Sequence, residues 1–217
     1  MKAAATNNTD RSVSEMYQEG IRYFMGEGSL NSTLKQLARD LERHKIDYAV
    51  MGAVALLAHG YPRFTEDIDL VVTAEGLEKF HKELLGIGGW GMSGYLRKPP
   101  ASDKSFRSVP LGVSIKVTLN EEYPGDGKPK PVRLPNPRTE FVDIDGVHFV
   151  SLEKLIELKL TSGMTAGDRL KDLADVQELI KTRALSSEFA SRLNAYVRAK
   201  FLELYESVEH ARKTEEQ

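Results

Sequence analysis

Asp67-Ile68-Asp69-Leu70-Val71-Val72 opens with two carboxylates separated by one apolar residue and continues as an aliphatic run. On a β-strand, residues i and i+2 point to the same face. Asp67 and Asp69 therefore aim at one point while Ile68, Leu70 and Val72 pack into a core. Two acids on one face are either the solvated side of an edge strand or an oxygen-only metal site. Such a site suits Mg²⁺, which takes one or two protein carboxylates and completes its shell with substrate phosphates.

Upstream, Tyr48-Ala49-Val50-Met51 is a short strand-like run, Gly52-Ala53 follows it, and Val54-Ala55-Leu56-Leu57-Ala58-His59 is helix-like. A strand, a glycine and a helix together form a phosphate cradle. Amides of a first helical turn attract anions, and a residue without Cβ lets a triphosphate approach the backbone. Taken alone, Gly52 is equally a turn residue at a strand end. Arg63 and Thr65 stand just before the acids, where a guanidinium or hydroxyl touches phosphate or faces solvent from a loop. His59 reads as a helix-face histidine.

Met51-Gly52-Ala53, thirteen intervening residues and Asp67-Ile68-Asp69 resemble the signature of the nucleotidyltransferase superfamily, the polymerase-β-like fold. That resemblance implies an α/β protein with a mixed sheet flanked by helices. It also implies Gly52 and Ala53 as a phosphate cradle, Asp67 and Asp69 as Mg²⁺ ligands, and Arg63 and Thr65 as nucleotide contacts. A second likeness covers residues 46–182. Glu122-Tyr123-Pro124-Gly125-Asp126-Gly127-Lys128-Pro129-Lys130-Pro131, Leu155-Ile156-Glu157-Leu158-Lys159-Leu160 and Arg169-Leu170-Lys171-Asp172-Leu173-Ala174-Asp175-Val176 are similar to a bacterial branch related to the AbiE-type nucleotidyltransferase toxins. The likeness implies that Lys159 and the Arg169–Asp175 segment help to hold an NTP. On the residues alone, Lys159, Lys171 and Asp172 are equally the polar faces of two surface helices whose core is Leu155, Leu158 and Leu173.

One departure from the superfamily pattern matters. Its enzymes carry a third carboxylate on a neighbouring strand, and here that strand is Gly112-Val113-Ser114-Ile115-Lys116-Val117-Thr118-Leu119. Val113, Ile115, Val117 and Leu119 form its apolar face, so Lys116 occupies the position of the expected acid; a shift of one residue would expose four aliphatic side chains. An ammonium there changes the local charge by two units and competes with metal for Asp67 and Asp69. At ~4 Å and an effective dielectric of about 20, each such attraction is on the order of 4 kcal/mol before desolvation is subtracted. A nucleotide-borne Mg²⁺ held by phosphates survives this more readily than a second ion that activates the nucleophile. Glu121, Glu122, Asp126, Asp143 and Asp145 sit in or beside turns and are not expected to substitute.

With 217 residues, 41% hydrophobic and 29% charged, the chain suffices for one sizeable core. A net charge of −2 gives no global attraction to nucleic acid, and the absence of cysteine excludes disulfides, thiolate catalysis and cysteine-ligated zinc. No apolar run approaches the ~20 residues of a membrane span and no hydrophobic signal segment opens the chain, so a cytoplasmic protein is expected. Between Leu96 and Arg138 the balance differs, with nine basic residues against four acids and eight of the nine prolines. This cationic stretch either binds phosphate or is a solvated loop carrying lysines; with only Phe106 and Tyr123 as aromatics it does not advertise stacking on single-stranded bases. The five histidines lack paired metal spacing, and no P-loop or dinucleotide fingerprint is present.

Residues 1–12 are expected to be a disordered tail, 13–150 an α/β core and 151–217 a helical C-terminal region packed on it. Ser32 or Thr33 is the expected cap of a helix carrying Leu34, Leu37 and Leu41 and ending near His44. Ala74–Leu85 is helical by spacing, and the glycine-rich 86–94 stretch reads as a flexible loop. Asp145-Gly146 between two apolar runs predicts a hairpin, and Ser151 a helix cap. Helices are expected over 152–162, 168–181 and 187–210, the first two separated by Gly163-Met164-Thr165-Ala166-Gly167. The last should carry the stripe Phe189, Leu193, Tyr196, Val197, Phe201 and Leu204. The expected activity is Mg²⁺-dependent binding of an NTP and transfer of its nucleotidyl group to a hydroxyl on RNA, protein or a small molecule. The alternative is a pseudoenzyme in which Lys116 neutralises the acids, leaving a nucleotide-, RNA- or partner-binding module; the resemblance also permits a toxin–antitoxin role.

Overall fold

The acidic strand lies between two neighbours of opposite sense. In the computed structural model, which describes residues 20, 22, 28–85, 95–97, 103–109 and 111–215, the strands are β1 (Tyr48–Met51), β2 (Asp67–Val72), β3 (Tyr95–Arg97), β4 (Ser105–Ser108), β5 (Ser114–Leu119), β6 (Val142–Ile144) and β7 (Val147–Phe149). They form one mixed sheet in the order β3-β4-β5-β2-β1-β7-β6. β2 runs antiparallel to β1, with Met51 opposite Asp69, and parallel to β5, with Asp69 opposite Lys116. Ile68, Leu70, Val71 and Val72 are buried, as are Ile115 and Val117 of β5, while Lys116 is exposed. Burying each such aliphatic side chain is worth about 1.5–3 kcal/mol, which fixes the register and sends the polar residues to the opposite face.

Helices α1 (Ser29–Arg43), α2 (Gly52–Ala58), α3 (Ala74–Lys79), α4 (Leu152–Thr165), α5 (Leu170–Thr182) and α6 (Ala195–Glu215) accompany the sheet. A π-helical turn, Phe80–Leu84, continues α3, and a 3₁₀ turn, Ser187–Arg192, precedes α6. The fold is thus the expected α/β arrangement of a mixed sheet with helices. Leu37 and Leu41 of α1, Ile156 of α4, Val176 and Leu179 of α5, and Val197 and Phe201 of α6 share one core with the central strands. No helix among the described residues is long and apolar enough to cross a membrane.

Several local expectations hold at atomic detail. Asp145 and Gly146 both have positive φ, 53° and 76°, the paired left-handed geometry of a two-residue hairpin turn between β6 and β7. Ser151 caps α4 by accepting a hydrogen bond from the Lys154 amide at 3.2 Å. Others are corrected. Helix α1 begins at Ser29, so Ser32 and Thr33 lie inside it; Leu30 is buried and extends the apolar stripe by a turn. The stretch Gly163–Gly167 does not separate two helices at its start, because α4 runs through Gly163 to Thr165 and α5 begins at Leu170. The expected single helix from residue 187 is broken at Leu193 and Asn194, where the Asn194 side chain accepts from the Tyr196 amide at 3.0 Å and its own amide donates to the buried Glu157 at 2.6 Å. Tyr196 leaves the stripe and is exposed, whereas Phe189, Leu193, Val197, Phe201 and Leu204 are buried. The expectations for residues 1–12 and 86–94 lie outside the described residues.

Position 163 takes a glycine because α4 and α5 approach closely there: a Cβ on it would stand 2.5 Å from Leu173 Cγ. Alanine would gain about 1 kcal/mol of helix propensity but must overpack a contact at a cost of about 1–3 kcal/mol. Gly163→Ala is therefore expected to lower stability by about 1 kcal/mol in urea unfolding. Unchanged or raised stability would mean that the two helices do not meet at this distance.

Candidate active site

The turn from β1 into α2 and the pairing of β1 with β2 build the first part of the site. Gly52 has a φ of +68°, and an added Cβ would overlap Asp69 Oδ2. The Asp69 carboxylate occupies the volume that any other residue's side chain would need. Thr65 donates its hydroxyl to Asp67 Oδ1 at 2.7 Å, and the Lys116 ammonium donates to Asp67 Oδ2. Asp67, Asp69 and Lys116 converge as the strand pattern required.

Electrostatics distinguishes the two acids. Burial pushes the Asp69 carboxyl up to about 6, and the neighbouring charge of Asp67 adds to this, while Lys116, Lys159 and Arg169 pull it back. Burial pulls the Lys116 ammonium down, but its hydrogen bond to Asp67 and the charges of Asp67 and Asp69 outweigh that, so its pKa lies above the ordinary lysine value. Lys116 remains charged and its side chain is 54% exposed.

A second cluster lies on α4 and α5. The buried Lys159 ammonium donates to Asp172 Oδ1 at 2.9 Å and Asp175 Oδ2 at 2.7 Å. Ser162 donates to Asp172 Oδ2 at 2.8 Å, Arg169 Nε lies 3.3 Å from that oxygen, and Arg63 donates to Asp175 Oδ2. Burial raises the Asp172 carboxyl, yet the charge and hydrogen bond of Lys159, the Ser162 hydroxyl and Arg169 together bring it below the ordinary aspartate value.

Both clusters line one cavity of about 390 Å³. Gly52, Ala53, Arg63, Thr65, Asp67, Asp69, Lys116 and Lys159 all contribute to its wall, together with Thr118, Tyr123, Leu134, Leu155, Leu158, Ser162, Arg169, Lys171 and Asp172. Five cationic side chains thus face three carboxylates. Among the described residues no group of three histidine, cysteine or acidic side chains gathers to hold a metal. Glu122 pairs with Lys104, Asp126 with Lys130, and Asp143 accepts from the Gly146 amide, so these acids serve turns and surface pairs. His59 caps α2 and its Nε2 lies 2.7 Å from the Val150 carbonyl; burial lowers its pKa. Ser162 and Leu134 carried no signal of their own in the sequence, whereas Thr118 shares the polar face of its strand with Lys116. The α4 spacing Leu155, Leu158, Lys159, Ser162 is nevertheless that of one helix face, which groups Ser162 with Lys159.

Residues 34–216 match the family described as "Nucleotidyl transferase AbiEii toxin, Type IV TA system", and the chain belongs to that family. Among solved structures, the chain is similar to a putative nucleotidyltransferase from H. pylori with 18% identity, 86% of this chain and 95% of that chain covered, and a TM-score of 0.45. It is similar also to a putative nucleotidyltransferase from Thermotoga maritima, with 14% identity, 77% and 96% covered, and a TM-score of 0.42. A third similar structure is ANT(2")-Ia in complex with adenylyl-2"-tobramycin, with 16% identity, 78% and 97% covered, and a TM-score of 0.46. None of the curated proteins matches the chain in sequence.

Two measurements check this geometry. Gly52→Ala should displace the Asp69 carboxylate or unfold the β1–α2 turn, seen as a clear drop in melting temperature; wild-type stability would contradict the close approach. For the buried cluster, Asp172→Asn should cost stability most near neutral pH, because a lowered carboxylate pKa stabilises the fold only while the group is ionised. The difference from wild type should shrink as pH falls through the ordinary value of 3.8 and vanish below the native value. A difference independent of pH would remove the charge network from the account.

Proposed function

We propose that the chain binds a nucleoside triphosphate in the 390 Å³ cavity and transfers its nucleotidyl group to an acceptor hydroxyl. The observation that carries this reading is the convergence of Asp67 and Asp69 beside Gly52 in a cavity whose cations outnumber its acids. A polyphosphate needs positive charge and backbone within reach. Lys116, Lys159, Arg169 and Lys171 supply the first, and the Gly52-Ala53 turn supplies the second. Arg63 acts through Asp175, which it helps to hold against Lys159, and Thr65 acts by orienting the Asp67 carboxylate.

The donor set fits one Mg²⁺ carried on the triphosphate. Asp67 and Asp69 would hold it, with phosphate oxygens as the other ligands; when bound, such an ion neutralises charge on the phosphates and polarises the α-phosphorus. The set does not fit a second ion, since an ammonium stands in the third carboxylate's place. In the transfer itself, the acceptor oxygen forms a bond to the α-phosphorus, the α–β bridging P–O bond breaks, pyrophosphate leaves, and the hydroxyl proton passes to water. Lys116 rests on Asp67 and can turn to a phosphate oxygen as the nucleotide arrives. Membership of the AbiEii family supports a cognate antitoxin as partner.

A second reading is favoured by the Lys116–Asp67 ion pair: a module that binds nucleotide, RNA or a partner without transfer. Calorimetry with Mg²⁺ and each NTP, combined with transfer from α-labelled NTP, separates the two. Transfer by the wild type that falls at least a hundredfold in Asp69→Asn is the expected result, corresponding to about 2.7 kcal/mol of transition-state stabilisation. Transfer seen only in Lys116→Asp would establish the second reading.

A further inference from the structure

We infer that Tyr123 is the platform on which the nucleobase of the bound nucleotide stacks, an assignment that rests on the proposed function. The cavity has two chemistries. Beside the acids, lysines and arginines already described, its wall carries Leu134, Leu155, Leu158 and Tyr123. A heterocycle is flat and apolar on its faces and takes a flat partner. Among the described residues lining the cavity, Tyr123 is the sole aromatic ring.

The ring sits on a segment that is fixed before any ligand arrives. On its N-terminal side, Glu122 Oε1 accepts from the Leu119 amide at 3.2 Å and pairs with Lys104. On its C-terminal side, Lys130 Nζ donates to the Pro124 carbonyl at 2.8 Å and pairs with Asp126, whose amide lies 3.4 Å from Thr165 Oγ1. Gly125, with φ +73°, presses on α4 so closely that a Cβ would stand 3.1 Å from Ser162 Cα and overlap the Thr165 hydroxyl. The Arg133 guanidinium lies 5.7 Å from the Tyr123 ring centroid, a cation–π contact that supports the ring. A pre-ordered platform loses little entropy when a base lands on it.

Position along the chain agrees with the assignment. Lys116 and Thr118 share one face of β5 and both line the cavity, and the strand then leads through Asn120, Glu121 and Glu122 to Tyr123. One strand and the turn after it therefore bring both a charged residue and an aromatic residue to the cavity wall. The ligand class that joins these two chemistries is a nucleoside polyphosphate.

The test compares three probes on the wild type, Tyr123→Phe and Tyr123→Leu: an NTP with Mg²⁺, inorganic tripolyphosphate with Mg²⁺, and the nucleoside without phosphate. Stacking on an aromatic ring predicts that Tyr123→Leu weakens NTP and nucleoside binding by about tenfold or more, leaves tripolyphosphate unchanged, and that Tyr123→Phe behaves as the wild type. The phenylalanine variant and unchanged tripolyphosphate affinity together show that the fold is intact. Equal NTP affinity for wild type and Tyr123→Leu would overturn the inference while leaving the proposed function standing. Nucleoside binding that depends on Tyr123, with no triphosphate binding, would support the inference and reject that function. Binding of none of the three by the wild type would overturn both.

Discussion

A missing methyl group at Gly52 is the constraint on which the site depends. Strands β1 and β2 pair with Met51 opposite Asp69, so the next residue along the chain lies beside the Asp69 side chain. At that point the backbone turns out of the sheet with φ +68°, and the carboxylate fills the space where a Cβ would be. Strand register, the turn into α2 and the position of one acid are thus a single geometric solution. A larger residue would have to shift the strand, unwind the turn or evict the carboxylate, and each of those removes the convergence with Asp67.

Two of the cavity's lysines show how burial divides labile from fixed structure. Lys159 is 6% exposed and held between Asp172 and Asp175, and breaking a buried pair of this kind costs on the order of 3–5 kcal/mol. Lys116 also has a carboxylate partner, but its side chain is half in water, where such a pair is worth about 0–1 kcal/mol. Only the second pair is easily exchanged for another. Under the proposed function, an incoming phosphate would draw Lys116 from Asp67 without disturbing the network that joins Arg63, Lys159 and α5. A lysine where an acid was expected also adds to the positive charge lining the cavity.

The strand pair and its chemistry were legible because a period of two puts Ile68, Leu70, Ile115 and Val117 on the buried face and Asp67, Asp69 and Lys116 on the other, and the observed pairing sets Asp69 opposite Lys116. The Asp145-Gly146 turn was legible for an equally local reason. The buried cluster was less so, since Lys159, Asp172, Asp175 and Arg63 come from two helices and a distant loop, and spacing along one helix cannot show a contact between two. Gly163 misled because glycine lowers helix propensity locally, whereas the close approach of Leu173 that requires it is tertiary. The break before α6 had a readable signal in Asn194, a good capping residue, but the continuous apolar stripe around it concealed the interruption. Tyr123 stood in a proline-rich stretch whose sparse aromatics suggested no stacking; its place in the cavity wall follows from the packing of Gly125 on α4.

The most direct measurement is an anomalous difference map from crystals of the protein grown with Mn²⁺ and an NTP analogue that cannot be cleaved between its α and β phosphates. The account expects one metal peak bridging the carboxylates of Asp67 and Asp69, triphosphate density against Gly52, and Lys116 turned from Asp67 to a phosphate oxygen. Nucleotide bound elsewhere, or a metal peak absent while Lys116 still rests on Asp67, would contradict it.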